Sequence, residues 1–570
     1  MGYRVLSNID WLVLIGSLTL IIVYGVYKTR GSRDLHGYLR GNQDSRWWLI
    51  CLSVMATQAS AITFLSTPGQ AYSDGMRFVQ FYLGLPIAMV ILCVTFIPIY
   101  YKLKVYTAYE YLESRFDLKT RSLAAILFLI QRGMAAGITI FAPSIILSSI
   151  LGWNLNLTIV VIGILVIIYT VTGGTKAVNQ TQKLQMFIIL SGMTVAFIYL
   201  LTYIPEDITV TEAFHIAGAT GKMQAIDFSL NFESRYTIWA GITGGLFLQL
   251  AYFGTDQSQV QRYLTGSSVR QSRLGLLLNG MLKVPMQFFI LLTGILVFVF
   301  YQFHKPPVFF NQPEYHAAMQ TLYKPDLESL QLRFDSVYQS KSDLNRQYIS
   351  ALRSNEDLRL EQVRTALIST ELYEKEVRSQ VKEVISAARP DAELNDRDYV
   401  FITFILNHLP VGVIGLLLAV IFSAAMSATA AELNALGTTT SMDIYRRSIS
   451  RGKEELHYVS ASKGFTLLWG CIAICFALFG ALFENLIQFV NIIGSLFYGT
   501  LLGLFLVAFY VKYVRGTAVF IAALLAEATV LGCYFLSGIG FLWYNVIGCT
   551  VVVSVGITIE MILRRKRLLS

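Results

Sequence analysis

The chain has 570 residues, of which 55% are hydrophobic and 14% are charged, and its mean hydropathy is +0.56. This composition excludes an ordinary soluble domain and predicts an all-α protein that spans a membrane many times. The formal net charge of +9 comes from lysines and arginines scattered between apolar runs, which indicates cytoplasmic loops and not nucleic-acid binding.

The apolar runs predict about thirteen spans, because a hydrocarbon core of about 30 Å takes about 20 residues per helix. The first run, from about Ile9 to Tyr27, leads into a loop rich in arginine, which places that loop in the cytoplasm and the N-terminus outside. The basic tail from Arg564 to Arg567 places the C-terminus in the cytoplasm. We therefore expect an integral protein of the cell (inner) membrane, surrounded by a lipid bilayer.

The second run, from Trp47 to Gly75, is polar in its middle. Hydroxyl and amide side chains occur there at membrane depth, and Pro68 and Gly69 follow them. Such residues are tolerated only where they face protein or a water-filled cavity, so we expect a broken helix that lines a site.

Further spans are expected at about residues 78–100, 122–151, 157–170, 184–203, 237–253, 274–303, 401–427, 460–482, 486–511, 518–536 and 541–563. The sequence GGTKAVNQTQK, which follows residue 172, is expected to be a loop between two of them. The span at 237–253 is interrupted by Gly241, Gly244 and Gly245. Two interrupted segments, each the first of five spans, predict two inverted five-helix repeats with a site near the middle of the membrane.

Between residues 304 and 397 the chain is hydrophilic. Apolar residues recur there at helical spacing: Leu327, Leu330, Phe334, Val337, Val377, Val381 and Val384. We expect a small helical hairpin on the outer face, bounded by prolines; a solvated insertion without a function of its own is the alternative. The expected organisation has a peripheral span and loop (1–46), a first repeat (47–203), a second repeat (204–303 and 398–511) divided by the insertion (304–397), and peripheral C-terminal spans (512–570).

Five stretches outside the insertion carry a family resemblance: FIPIYYKLKVYTAYEYLESRF at 96–116, FAPS at 141–144, YTVTGGTKAV at 169–178, YFGTDQSQVQRYL at 252–264, and LNA at 433–435 leading into MDIY at 442–445. Through them the chain resembles the sodium:solute symporter family, and within it the branch of monocarboxylate, multivitamin and iodide carriers. The resemblance implies a broken-helix transporter core that works by alternating access, with sodium as the coupling ion and no other cofactor.

In that family sodium binds where the broken first core helix meets the eighth. The resemblance places the sodium ligands at the carbonyls of Ala56, Ala59 and Ala424 and at the hydroxyl of Ser427. Where relatives carry a second hydroxyl this chain has Ala428. Thr429, one residue further and about 100° around the helix, is the candidate to supply the missing sodium ligand if the helix turns locally. Relatives commonly carry an acid at the position of Gln182, so a second cation site is doubtful there.

The solute-binding residues that the resemblance implies are amides, hydroxyls and aromatics of the core helices: Gln58, Thr63, Gln249, Tyr252, Phe253, Gln488 and Asn491. Amides and hydroxyls offer donors and acceptors to a polar solute, and aromatic rings cover its apolar face. Packing between helices is the alternative for each of them. Asp256 and Arg262 are expected to pair in an inner gate, unless Arg262 only marks the cytoplasmic side.

The expected function is sodium-coupled symport of a small polar or anionic organic solute. A solute sensor on the same fold and a proton-coupled or uncoupled carrier stay open as alternatives, as do the oligomeric state and the solute. An enzyme is not expected, because no membrane-embedded acid pair, nucleophile with a base, or metal cluster is evident. No arginine is evident at mid-membrane depth that would favour a carboxylate as the solute.

Overall fold

The structure is a computed structural model that describes residues 6–29, 43–103, 105–479 and 486–569. The first part of the described chain contains the helices α1 Asn8–Thr29, α2 Trp47–Gln58, α3 Ala61–Asp74, α4 Leu85–Val94, α5 Phe96–Leu103, α6 Glu110–Arg115, α7 Leu118–Leu151, α8 Leu155–Thr202, α9 Val210–Ala219, α10 Gly245–Gly254 and α11 Gln257–Tyr263. The second part contains α12 Val269–Phe303, α13 Gln312–Ala318, α14 Lys324–Ser354, α15 Asp357–Ala388, α16 Val400–His408, α17 Val413–Thr439, α18 Glu455–Phe479, α19 Leu486–Tyr510, α20 Gly516–Leu536 and α21 Leu542–Leu569.

The helical architecture confirms the expected fold class. Nine helices in the described ranges are long and apolar enough to cross a membrane, and four shorter apolar helices accompany them. The count of thirteen spans and the domain boundaries stay predictions.

The first expected break lies between Gln58 and Ala61, where α2 ends and α3 begins. Pro68 and Gly69, two of the residues that suggested the break, lie inside α3 instead. A Cβ atom on Gly69 would come within 2.0 Å of the Arg397 carbonyl oxygen, so this glycine permits a close approach and does not end the helix.

The second expected interruption is a π-helical segment, Ala240–Gly244, that continues into α10. A Cβ atom on Gly241 would come within 2.1 Å of the Gln80 carbonyl oxygen. The glycines therefore bring this segment against the Gly75–Tyr82 segment, a 3₁₀ helix.

The expected loop at GGTKAVNQTQK is wrong, because α8 is helical over all 48 residues from Leu155 to Thr202. A straight helix of that length would measure about 72 Å, more than twice the hydrocarbon core. Gly163 packs on Ile474 of α18, whereas Gly192 packs on Val420 of α17. The two halves of α8 thus occupy the places of two expected spans. The helix continues between them because paired glycines weaken a helix without excluding it.

Two other expected spans are divided. The segment at 78–100 comprises a 3₁₀ helix followed by α4 and α5, because Pro86 lies in the first turn of α4 and Thr95 ends that helix. The segment at 401–427 is split between α16 and α17 at Gly412, whose φ of 86° is left-handed.

The hydrophilic insertion is a hairpin of two long helices, α14 with 31 residues and α15 with 32. The two helices agree with the expected hairpin, but it is not small, and its place on the outer face stays a prediction. Asn355, with a φ of 53°, turns the chain between the helices. Leu327, Phe334, Val377 and Val381 form the hairpin's own buried core, as their helical spacing predicted.

Candidate functional site

The break in the first core helix frees backbone oxygen atoms near its centre. Ala59 leaves helical geometry with a ψ of 74°, and its N–H bonds the Met55 carbonyl at 2.7 Å. Because α2 stops at Gln58, the carbonyls of its last turn have no following turn to bond them. Oxygen atoms of this kind are the ligands that hard cations prefer.

The eighth core helix, α17, meets this break. The Ser427 hydroxyl donates to the Ala56 carbonyl oxygen at 3.2 Å, so two of the expected sodium ligands are in direct contact. Ala59 and Ala424 are fully buried. The Thr429 hydroxyl donates to the Ala425 carbonyl of its own helix at 2.9 Å, and its role as a sodium ligand stays a prediction.

Gln182, at the position where the resemblance implies an acid, joins α8 to α2. Its Nε2 donates to the Thr57 hydroxyl at 3.0 Å, and its Oε1 accepts from the Ser53 hydroxyl. Ser53 also contacts Oδ1 of Asn179 at 3.0 Å. A neutral hydrogen-bond network therefore occupies the place of the expected charge.

A cavity of about 80 Å³ lies beside the break, between α2, α3, α7, α10, α17 and α19. Five of the expected solute residues line it: Gln58, Thr63, Gln249, Tyr252 and Asn491. Gln488 and Phe253 are absent from the lining; Gln488 accepts a hydrogen bond from Arg235 at 3.1 Å, and Phe253 packs its ring on Tyr252. Their role in another conformation stays a prediction.

Several polar atoms around this cavity have no hydrogen-bond partner among the described residues. They are Oε1 of Gln58, Oε1 of Gln131, and both side-chain polar atoms of Gln249. Unpaired buried amides cost free energy, and a polar solute in the cavity would satisfy them.

Arg132 was missed from the sequence, although it lies within the long apolar helix α7 and lines the cavity. Its Nη1 donates to Glu432 Oε1 at 3.1 Å, and its Nη2 donates to Asp256 Oδ2 and to the Tyr498 hydroxyl at 2.6 Å. The signal was available, since an ionisable residue inside a membrane span is a site hypothesis by default.

This cluster corrects several expectations. Asp256 and Glu432 form a buried acid pair around one arginine, although no such pair and no mid-membrane arginine were evident in the sequence. The expected Asp256–Arg262 pair is also wrong, because Asp256 binds Arg132. Arg262 is fully buried and donates to Asn179 Oδ1 at 2.7 Å, so it is not an exposed topology charge either.

The chain matches the model of the sodium:solute symporter family over residues 38–330 and 363–525. It is 25% identical over 559 residues to the sodium/sialic acid symporter SiaT of Proteus mirabilis (strain HI4320), which covers 96% of this chain and 94% of that one. Human sodium-coupled monocarboxylate transporter 1 is 32% identical over 273 residues, or 47% of this chain and 44% of that one. The human sodium/iodide cotransporter is 30% identical over 273 residues, or 48% and 42%.

A solved structure of a Na⁺-coupled sialic acid symporter, in a substrate-bound outward-open state, superposes with a TM-score of 0.74 at 24% identity, covering 98% of both chains. This likeness confirms the expected transporter fold. The matches to monocarboxylate and iodide carriers confirm the expected resemblance to that branch.

Proposed function

The chain belongs to the sodium:solute symporter family, and from that premise we propose that it carries a small organic anion across the membrane together with sodium. Sodium-coupled secondary transport is the activity of this family and of the relatives that it matches. The identity of the solute class and of the binding residues is the new part of the proposal.

The observation that supports an anionic solute is the position of Arg132. Its guanidinium reaches the cavity that five of the expected solute residues line, and its Nε has no partner within the described structure. A guanidinium binds a carboxylate through parallel hydrogen bonds. The free amide atoms of Gln58 and Gln249 would bind hydroxyl or carbonyl groups elsewhere on the solute.

Asp256 and Glu432 hold Arg132 in this conformation, so an incoming carboxylate must compete with them. Asp256 also caps α11, accepting from the Ser258 N–H at 2.9 Å, and it receives the Tyr498 hydroxyl at 2.8 Å. Glu432 keeps one carboxylate oxygen that makes no hydrogen bond to the described residues. Glu432 is therefore the group that we expect the solute to displace.

Sodium is proposed to bind at the break of the first core helix. The carbonyls of Ala56, Ala59 and Ala424 and the hydroxyl of Ser427 would hold it, and the 3.2 Å contact between Ser427 and Ala56 supports this placement. The cation would stabilise the junction of α2, α3 and α17 and raise the population of the state that binds solute. A bilayer protein with its N-terminus outside and C-terminus in the cytoplasm fits the charge bias of the sequence.

The cavity is smaller than the 300–1,000 Å³ that is typical of ligand sites, so solute binding requires α2, α3 and α10 to separate. Alternating access supplies that separation.

The solute class is tested by a screen of separate solutes for binding to the purified chain in proteoliposomes. Sialic acid, propionate, iodide and glucose are compared in sodium and in potassium buffer, and binding is measured by thermal stabilisation. We expect a carboxylate to stabilise the chain more in sodium than in potassium buffer. Equal stabilisation by glucose, or by carboxylates without sodium when the outer cavity described below has been disabled, would contradict the proposal.

A further inference from the structure

A second, larger cavity lies between the hairpin and the end of α3. Its volume is about 410 Å³, within the range of small-molecule sites. It is lined by the last turn of α3, by Lys222, by Phe298 of α12 and by one face of α15.

The lining of this outer cavity is unbalanced in charge. Six basic side chains line it: Lys222, Lys341, Lys375, Arg378, Lys382 and Arg397. Four acidic side chains accompany them: Asp74, Glu371, Glu374 and Asp396. With all ten groups ionised, two positive charges are left over.

The ion pairs show where the excess lies. Glu371 accepts from Lys222 at 3.2 Å and from Lys375 at 3.5 Å, so one carboxylate serves two cations. Glu374 likewise serves Lys341 at 2.8 Å and Arg378 at 3.0 Å. Because buried charges are costly unless they are compensated, a cavity with this surplus favours an anion.

The two buried lysines converge on one ring. The side chains of Lys222 and Lys341 are 6% and 7% exposed, and their ammonium groups lie 5.1 and 5.5 Å from the centre of the Phe298 ring. The apolar ring excludes water from one side of both cations, which strengthens their attraction for a negative charge.

Arg378 supplies a directional donor. Its guanidinium lies 5.2 Å from the Phe310 ring centre and 4.8 Å from that of Phe334. Its Nη2 nitrogen is buried and has no hydrogen-bond partner among the described residues. A guanidinium beside two aromatic rings with an N–H that has no partner among the described residues is able to donate to a carboxylate oxygen.

We infer that this outer cavity is a second binding site for a small organic carboxylate. The Lys222 ammonium donates to the Ser73 carbonyl at 2.6 Å, and Arg397 pairs with Asp74 at 3.3 Å, so the site contacts the last turn of α3. The other end of α3 forms the central cavity. The outer site captures solute next to α3, the helix that must move before solute can enter the central cavity. This role rests on the proposed function.

The experiment measures equilibrium binding of radiolabelled sialic acid and propionate to the full chain in nanodiscs, first in potassium chloride and then in sodium chloride. The outer site needs no sodium, so we expect one bound carboxylate per chain without sodium and two with it. Arg378→Gln should weaken the sodium-independent binding at least tenfold and leave the sodium-dependent binding in place. Lys324→Gln removes a basic residue that is 57% exposed and lies outside the lining, and it should change neither.

A second variant guards against misfolding of Arg378→Gln. Ser379→Glu adds a negative charge at an exposed position of the lining and should weaken the same sodium-independent binding about tenfold. Absence of that binding in wild type, or its persistence in both variants, overturns the outer site while the central proposal stands. Sodium-independent binding that Arg378→Gln removes, in a chain without sodium-driven uptake, supports the outer site and contradicts the proposed transport.

Discussion

The central and outer cavities hold charge in opposite ways. In the central cavity one arginine lies between two acids, and apart from Arg132 and Glu432 the lining is uncharged. In the outer cavity six cations share four acids. The central cavity measures about 80 Å³ and the outer one about 410 Å³.

This difference separates two tasks. A closed cavity whose arginine already has partners binds a solute only after rearrangement, which suits a site that must be exposed to one side of the membrane at a time. A wide cavity with surplus positive charge attracts anions without rearrangement. The proposed role of the hairpin is therefore to attract anions, and that of the core is selection and coupling.

The largest effect is expected from changing Arg132, which tests the central cavity alone. Arg132→Gln should lower solute affinity about 100-fold, because the carboxylate loses its charged partner and two buried acids lose theirs. Arg132→Lys keeps the charge without the planar fork and should cost about tenfold. Uptake kinetics and thermal melting are measured together, with the exposed Arg270→Gln as the control; unchanged affinity in both Arg132 variants would contradict the assignment.

The outer cavity can be tested alone through acid. Burial raises the pKa of Glu374, but Lys341 and Arg378 lower it by a larger amount. The net effect is a fall in the pKa from an ordinary 4.5 to about 2. The folded state therefore gains stability from this ion pair above pH 4.5, on the order of 3 kcal/mol, and loses it as the pH falls toward 2.

The comparison for this prediction is Glu374→Gln. Thermal melting at pH 6 should show wild type more stable than the variant, and the gap should fall to roughly half or less by pH 3. A gap that is constant between these pH values would show that Glu374 does not carry the charge described.

Gly69 connects the two regions, because it allows α3 to touch the chain where the hairpin rejoins the core. Gly69→Ala places a Cβ atom 2.0 Å from the Arg397 carbonyl oxygen and should destabilise the protein by about 2 kcal/mol. Gly218→Ala, at a position with open space within 4 Å, is the matched control and should change stability by less than about 0.5 kcal/mol. Equal melting temperatures for the two variants would show that this contact is not tight.

The smallest effect is expected at the sodium site. Ser427→Ala removes one proposed ligand and should raise the sodium concentration for half-maximal uptake about tenfold, equivalent to about 1.4 kcal/mol. Ala428→Ser adds a hydroxyl at the next position and should lower it. Sodium dependence identical to wild type in both variants would place the ion elsewhere.

The sequence was informative where the signal is local. The polar middle of residues 47–75 predicted the broken helix, and the spacing of Leu327, Phe334 and Val381 predicted the hairpin core. The expectation of a loop at GGTKAVNQTQK was wrong, because the helix continues through two glycines. Packing can override the low helix propensity of glycine.

The charged cluster was not predictable in the same way. Arg132 finds its partners 124 and 300 residues away, and no local pattern links an arginine to acids at such distances. The surplus of charge in the outer cavity likewise depends on α15 packing against Lys222, which is distant in sequence. Seven solute residues were expected by resemblance, and five of them lie on the cavity surface. Phe253 and Gln488 lie on the same helices, α10 and α19, but outside the lining.

The most direct test of the central claim is uptake of labelled sialic acid or propionate into proteoliposomes under an imposed sodium gradient. We predict accumulation above the external concentration when sodium is high outside, collapse of that accumulation when a sodium ionophore is added, and at least a tenfold reduction in Arg132→Lys at low solute concentration. Accumulation that follows a proton gradient and ignores sodium, or no accumulation of any carboxylate, would contradict sodium-coupled transport of an organic anion by this protein.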